Sequence, residues 1–455
     1  MSKVLRKSMY LFASIAFICI FILLFKYSNN KLMLILPIPI FVGLSLIVQK
    51  LINKNKLFCI LLFIVSFCTK LVVLIILDIK PCSDFAVLLD ASQNLANGIN
   101  IMNESSYFFS WAYQTGFVLY QTLILKIFHS IFALHIIDCL FTSGICLLIY
   151  MIGSLINEKN SKCSAILYCT YVFAITYTGV LTNQHIFTFL ILLAIYILLK
   201  KTNFDKYKNI IVGLLLGIAN ILRPEGITIV ASILVYYIFQ IKSIKDVKNI
   251  IIKFLILLLS YFAIMQITSF VVKKTNINKS ELINNDPLWK FVCGSDYESL
   301  GGYSERGLSV IGDTEREKAF IIQNYKSLNL TSGLRLFKNK IQTFWTTDAY
   351  SWVFLDLQNE TISVKPYILY DSALYAFIII AVIFSLITRQ DENNDAKNLL
   401  VAILLVNFIV YLLIEVQARY SYTAKIIMFI LAGDGIQQML SILKEKVILK
   451  IKKNN

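Results

Sequence analysis

Charge is scarce in this chain: 15% of its 455 residues are Asp, Glu, Lys or Arg, against about 25% in an average soluble domain. A water-covered globule is thereby excluded. The 58% hydrophobic content and the mean hydropathy of +0.71 point the same way. Histidine is nearly absent, and His129, His135 and His185 lack ligand spacing. The nine cysteines form no CxxC pair, so neither a zinc site nor a redox motif is signalled. No Gly-rich phosphate loop occurs, which leaves a nucleotide without a cradle. Glycine is also low, at 17 residues, in a Lys/Asn/Ile-rich background that suggests an AT-rich bacterial source.

Apolar runs near the ~20-residue spanning length fill the chain instead. About twelve are expected to cross a bilayer: Met9–Phe25, Leu32–Val48, Leu57–Leu77, Leu134–Ile156, Cys163–Val180, His185–Leu199, Ile210–Leu222, Ile227–Ile241, Ile250–Val272, Tyr367–Ile387, Leu399–Ile414 and Tyr422–Leu443. The first has a basic start but no small-residue cleavage site, so it reads as a span rather than a signal peptide. The fold class is an all-α polytopic membrane protein. It divides into three N-terminal spans (1–77), an external loop (78–133), central spans (134–272), a large external loop (273–365) and C-terminal spans with a basic tail (366–455).

The net charge of +16 would suggest nucleic acid in a soluble chain. Here it follows the positive-inside bias, and no nucleic-acid partner is expected. Lys3, Arg6 and Lys7 lead the chain. Lys50, Lys54 and Lys56, then Lys159 and Lys162, then Lys200 to Lys208, then Lys242 to Lys248, mark alternate loops. Arg389–Lys397 and the tail lysines 444–453 complete the set. These positions, with both termini, are assigned to the cytoplasm of a plasma membrane. The opposite, outer set holds Asp78–Asn100, the "LTNQH" and "LRPEG" turns, the 273–365 loop and "EVQARYSY". The alternation closes only if Thr115–Phe132 is re-entrant or interfacial.

On the first outer loop, Ser83 is the expected N-cap and Gly98 the terminator of a short amphipathic helix. Phe85, Leu88, Leu89, Leu95 and Ala96 share one face. Asp84 sits in the first turn, where the helix end favours a carboxylate. Acids are ordinary there, so position alone gives it no role. Asp78 reads as a span terminator and Asp90 as a polar-face residue. Arg223 and Arg419 stand at outer span ends, against the positive-inside bias. Each is explained either by snorkelling or by a fork for phosphate oxygens.

"SDFAVLLDASQNLANG" resembles the first external loop of GT-C-fold glycosyltransferases, and "YFFSWAYQTGFVLYQTLILKIF" resembles its continuation. "LRPEG" and "ARYSY" resemble later external turns of the same superfamily, which includes protein O-mannosyltransferases and lipid A aminoarabinose transferases. The chain departs from it in having two extra spans before that loop and no firm second acid, Glu104 being the nearest candidate. The resemblance implies a GT-C-like bundle of about 12–13 spanning helices. It also implies a polyprenyl-phosphate sugar donor at the bilayer surface, and an acceptor hydroxyl on an envelope glycan, teichoic acid, lipid or protein. Asp84 would be the general base. Arg223 and Arg419 would hold the leaving phosphate, assisted by Tyr420. Glu104, Tyr107, Trp111, Tyr113, Gln114 and Glu225 are candidate donor or acceptor contacts. No organic cofactor is implied; a divalent metal serves some relatives, but the few external acids here do not indicate one. The 273–365 loop is expected to cap the site or to be a structural cover, with "LRLFKNKIQTFW" lying on the membrane. Cys82 and Cys293 are both external and available to pair. A lipid-linked sugar flippase or a polysaccharide polymerase or ligase are the competing readings.

Overall fold

The computed structural model describes residues 2–28, 30–51, 55–201, 205–353, 365–388 and 394–454. Lys54, Arg389 and the 354–364 part of the large loop lie outside the described residues. So do the side chains of Lys3, Lys50, Lys159, Lys446, Lys450, Lys452 and Lys453. Every regular element among the described residues is helical. The first group is α1 (Ser2–Tyr27), α2 (Lys31–Ile35), α3 (Ile38–Leu51), α4 (Asn55–Leu77), α5 (Ser83–Ala96), α6 (Ser106–Ser110) and α7 (Thr115–Phe128). The centre holds α8 (Ile131–Ile156), α9 (Glu158–Cys169), α10 (Val172–Tyr177), α11 (Gln184–Leu199), α12 (Lys208–Leu222), α13 (Gly226–Phe239) and α14 (Ile244–Lys274). The large loop carries α15 (Trp289–Ser295), α16 (Thr314–Ser327) and α17 (Leu330–Thr346). Then come α18 (Lys365–Ile387), α19 (Asp395–Leu413) and α20 (Tyr422–Asn454).

Among the described residues, eight helical segments are long and apolar enough to cross a membrane, fewer than the expected twelve. The shortfall has two causes. Gln184–Leu199, Lys208–Leu222 and Gly226–Phe239 are shorter apolar helices, of about 21–24 Å at 1.5 Å per residue. The expected Cys163–Val180 span is broken into α9 and α10. The break frees the first N–H groups of α10, and the Asp371 carboxylate of α18 accepts from Val172 N at 2.9 Å and Phe173 N at 2.6 Å. A Pro37 turn likewise divides α2 from α3. The architecture is that of a polytopic helical membrane protein. α4 turns Ile60, Ile64, Val72, Ile75 and Ile76 outward, as a lipid-facing helix does.

Packing sorts the helices by depth. The apolar window of α20 is 72% buried, whereas that of α14 is 17% buried. Gly213 and Gly217 lie on the face of α12 that meets α14; a Cβ at either would run into the backbone or side chains of Leu257, Ser260, Tyr261 and Ile264. Between apolar helices, where lipid competes equally for contact, such small residues let backbones approach closely.

Contacts fix which ends lie together. At one end Tyr10 donates to Asn398, Asn55 to Glu158, and Asn160 to Gln437. That end gathers the starts of α1, α4, α9 and α19 with the far part of α20. The other end gathers α5, the α10–α11, α12–α13 and α19–α20 turns, and the large loop. Both ends of α7 lie there: Gly116 abuts Ile221 near the close of α12, and Leu125 packs with Leu134 and Leu181. α7 therefore begins and ends at the same end of the bundle.

Candidate functional site

α5 begins one residue away from the expected pattern: Cys82 is its N-cap and Ser83 is its first residue, at φ +49°. Gly98, at φ +86°, ends it as expected. Phe85 and Leu88 pack inward, while Asp90 is exposed on the polar face. Asp78 follows the last residue of α4 and pairs with Lys80 at the surface.

Asp84 lies opposite the turn before α20. Arg419 Nη2 donates to Asp84 Oδ2 at 3.1 Å, across 335 residues of sequence. The same guanidinium donates from Nε to Gln417 Oε1 at 2.7 Å, and its carbon stands 5.3 Å from the Phe85 ring. Arg223 closes α12, donating to Glu225 and, at 3.0 Å, to Asn183 Oδ1. Between the two arginines stands Tyr420, whose ring centroid is 5.5 Å from Arg223 Cζ and 5.6 Å from Arg419 Cζ. A third cation completes the ring: Lys290 Nζ lies 5.0 Å from the same centroid. It donates to Tyr420 Oη at 2.8 Å and pairs with Glu415. Tyr420 Oη donates in turn to Glu415 Oε2 at 3.1 Å. Its hydroxyl thus links Lys290 to Glu415, and its ring lies among the three cations.

Each cation carries one acid: Arg223 with Glu225, Lys290 with Glu415, Arg419 with Asp84. The cluster is buried on one side and open on the other. Arg419 and Glu415 side chains are 8% and 1% exposed, Asp84 and Lys290 39% and 35%. Burial opposes charge on both members of the Lys290–Glu415 pair, but their contact outweighs it. The lysine is held above its ordinary range, helped by Tyr420, and the glutamate below its own. Tyr113 stands against this group; burial pushes its phenol up to about 12. Tyr107 is also raised, first by burial and then by the Asp84 charge. Gln114 donates to Tyr107 Oη at 3.4 Å. A cavity of about 190 Å³ opens beside them, lined by Tyr113, Asn220, Ile221, Pro224, Met265 and Ile283.

The structure thus brings Asp84, Arg223, Glu225, Arg419, Tyr420, Tyr107, Tyr113 and Gln114 into one neighbourhood. Glu104 is not brought in: it is exposed on the turn after α5, and its side chain makes no hydrogen bond or ion pair among the described residues. Trp111 borders the site, its ring 5.1 Å from that of Tyr107, and packs against the large-loop cluster that holds Trp289 and Val292. Sequence reasoning missed Lys290, which had no signal in "PLWKFVCG". It also missed the "LTNQH" turn as a brace: Asn183 holds Arg223, and Gln184 donates to the Arg419 carbonyl. A polar tetrad between two apolar runs was the available signal.

The large loop is seated on the site. Glu415 N donates to Lys290 O at 2.7 Å and Val416 N to Gly301 O at 2.9 Å. Buried Lys340 donates to Gly294 O and Leu412 O at 2.7 and 2.8 Å, capping the end of α19. The apolar face of α17 is turned onto the bundle, with Phe344 against Tyr411 and Trp345 against Phe17. Leu330 and Leu334 remain exposed at its start. No disulfide joins Cys82, which is half-buried, to Cys293, which is buried. No group of three or more His, Cys, Asp or Glu side chains suited to a metal occurs among the described residues. No protein-family model matches this chain, and no curated protein matches it.

Proposed function

We propose that this protein is a membrane glycosyltransferase of GT-C type, moving a sugar from a polyprenyl-phosphate carrier to an acceptor hydroxyl at the outer face. The observation that carries the reading is the ring of Arg223, Lys290 and Arg419 about Tyr420, with the Asp84 carboxylate at its open side. Guanidinium forks suit phosphate oxygens, and a partly buried site strengthens each contact. The position at helix ends suits a lipid-borne headgroup, and the cavity beside Tyr113 and Met265 offers the first part of the tail an apolar wall.

In this reading the donor phosphate replaces Asp84 on Arg419. The released carboxylate accepts the proton of the acceptor hydroxyl, whose oxygen attacks the anomeric carbon. The bond from that carbon to the phosphate oxygen breaks with inversion, and its electron pair stays on polyprenyl phosphate. The three cations stabilise that charge as it grows. The docked large loop supplies Lys290 and covers the acceptor side.

The test is turnover of a polyprenyl-phosphate sugar by purified protein in nanodiscs, with surface glycans compared by mass spectrometry between cells with and without it. Asp84→Asn should lose transfer while keeping its fold and donor binding, and Asp90→Asn should be mild. Near-wild-type turnover by Asp84→Asn would reduce Asp84 to a partner of Arg419 and reject the base. Donor movement across the bilayer without any transfer would favour the flippase.

A further inference from the structure

Lys70 lies within the bundle, about 10 Å below the end of α4 at 1.5 Å per residue. It is 2% exposed. An ionisable side chain at such a place is costly unless it has a partner. Helical side chains lean toward the helix start, so Lys70 reaches back to the level of Ser66. Both meet the same atom. Lys70 Nζ is 3.7 Å from Cys146 Sγ, and Ser66 Oγ is 3.2 Å from it. The thiol itself donates to Thr142 O at 3.5 Å. The other ionisable groups around this centre are Asp138 and Cys139 of α8, Tyr168 and Cys169 of α9, His185 of α11 and Tyr422 of α20. No carboxylate among the described residues lies within 4.0 Å of Lys70 Nζ. The ammonium therefore has a thiol where a buried cation needs an anion.

We propose that Lys70 and Cys146 form an ammonium–thiolate pair inside the bundle, and that the sulfur is a covalent site for small apolar Michael acceptors dissolved in the bilayer. Proton loss from Sγ gives the cation its counter-ion. The Ser66 hydroxyl can then donate to the sulfur, which favours the charged form in place of the bond that the thiol gives to Thr142 O. The thiolate, not the thiol, is the nucleophile. Sγ adds to the β-carbon of an unsaturated carbonyl compound, and the carbon–carbon π pair moves onto the carbonyl oxygen. The Lys70 ammonium supplies the proton that completes the addition, and water restores it. Only an uncharged, membrane-soluble electrophile suits a sulfur that is 0% exposed among apolar helices.

Two readouts test this in nanodiscs at neutral pH. The first is the ultraviolet band that a thiolate has and a thiol lacks. Cys146→Ser should lower it by the equivalent of one thiolate, and Lys70→Met should lower it equally while Cys146 remains. No change in Cys146→Ser overturns the pair, as does a band that survives in folded Lys70→Met. The second is N-ethylmaleimide labelling followed by peptide mass spectrometry. Cys139 and Cys163, which are equally buried, correct for access. Cys146 should react about tenfold faster than either. Equal labelling of the three, including none at all, overturns the covalent site.

Discussion

Arg419 touches Asp84, Gln417 and the faces of Phe85 and Tyr420 at once, a set of contacts that only a planar fork can make together. Lysine keeps the charge but not that geometry. In the proposed reaction Arg419→Lys should lose about tenfold to a hundredfold in donor turnover, from roughly 1.5–3 kcal/mol of charge-assisted contact. An arginine that merely snorkels would tolerate the change, so near-normal turnover in Arg419→Lys and Arg223→Lys would remove the phosphate clamp. A second residue-scale outcome concerns Glu317 in α16, whose carboxyl is raised to about 7, first by burial and then by the neighbouring Asp286. A folded pKa above the unfolded value means that the folded loop prefers the protonated acid. Stability from this group is therefore full below the ordinary 4.5 and is lost as pH rises through about 7. Glu317→Gln should flatten that part of the stability–pH curve, as followed by thermal unfolding; an unchanged curve would show that Glu317 does not titrate there. Asp84, Arg223 and Arg419 were legible in sequence because each is a charge in a polar turn between apolar runs. Lys290 was not, because it is one lysine among many and its partner Glu415 is 125 residues away.

At the scale of elements, the large loop is held on the α19–α20 turn by backbone contact as well as by side chains. Gly294 leaves no room for a Cβ, which would meet Leu413 O and the Ile414 backbone. Gly294→Ala should therefore lift α15, take Lys290 from Tyr420, and lower turnover at least as much as Lys290→Met. Limited proteolysis should cut the 273–353 region of Gly294→Ala faster than that of wild type; unchanged proteolysis and turnover would mean that the loop does not depend on this docking. The helices themselves were readable because apolar runs of spanning length have few alternatives. The break between α9 and α10 was not, since it depends on Asp371 arriving from α18, 198 residues from Phe173.

At the scale of the whole molecule, the cation ring, α5, α7 and the large loop share one end of the bundle. In the orientation proposed from the basic-loop alternation, that end faces outward. In a background without native cysteines, exposed Ser309→Cys should react with an impermeant maleimide in intact cells, and exposed Lys245→Cys only after lysis. The reverse pattern would invert the topology. By itself, the sequence determined that this is a helical membrane protein, where most of its helices run, and which turns carry charge. These properties depend on local composition and chain length, which a single segment carries within itself. Tertiary structure decided that four distant turns meet around Tyr420, that Arg419 rests on Asp84, that Lys290 joins them from the large loop, and that α7 returns to the face it started from. Those facts depend on which helix faces pack together, and that is settled by side-chain shape across hundreds of residues.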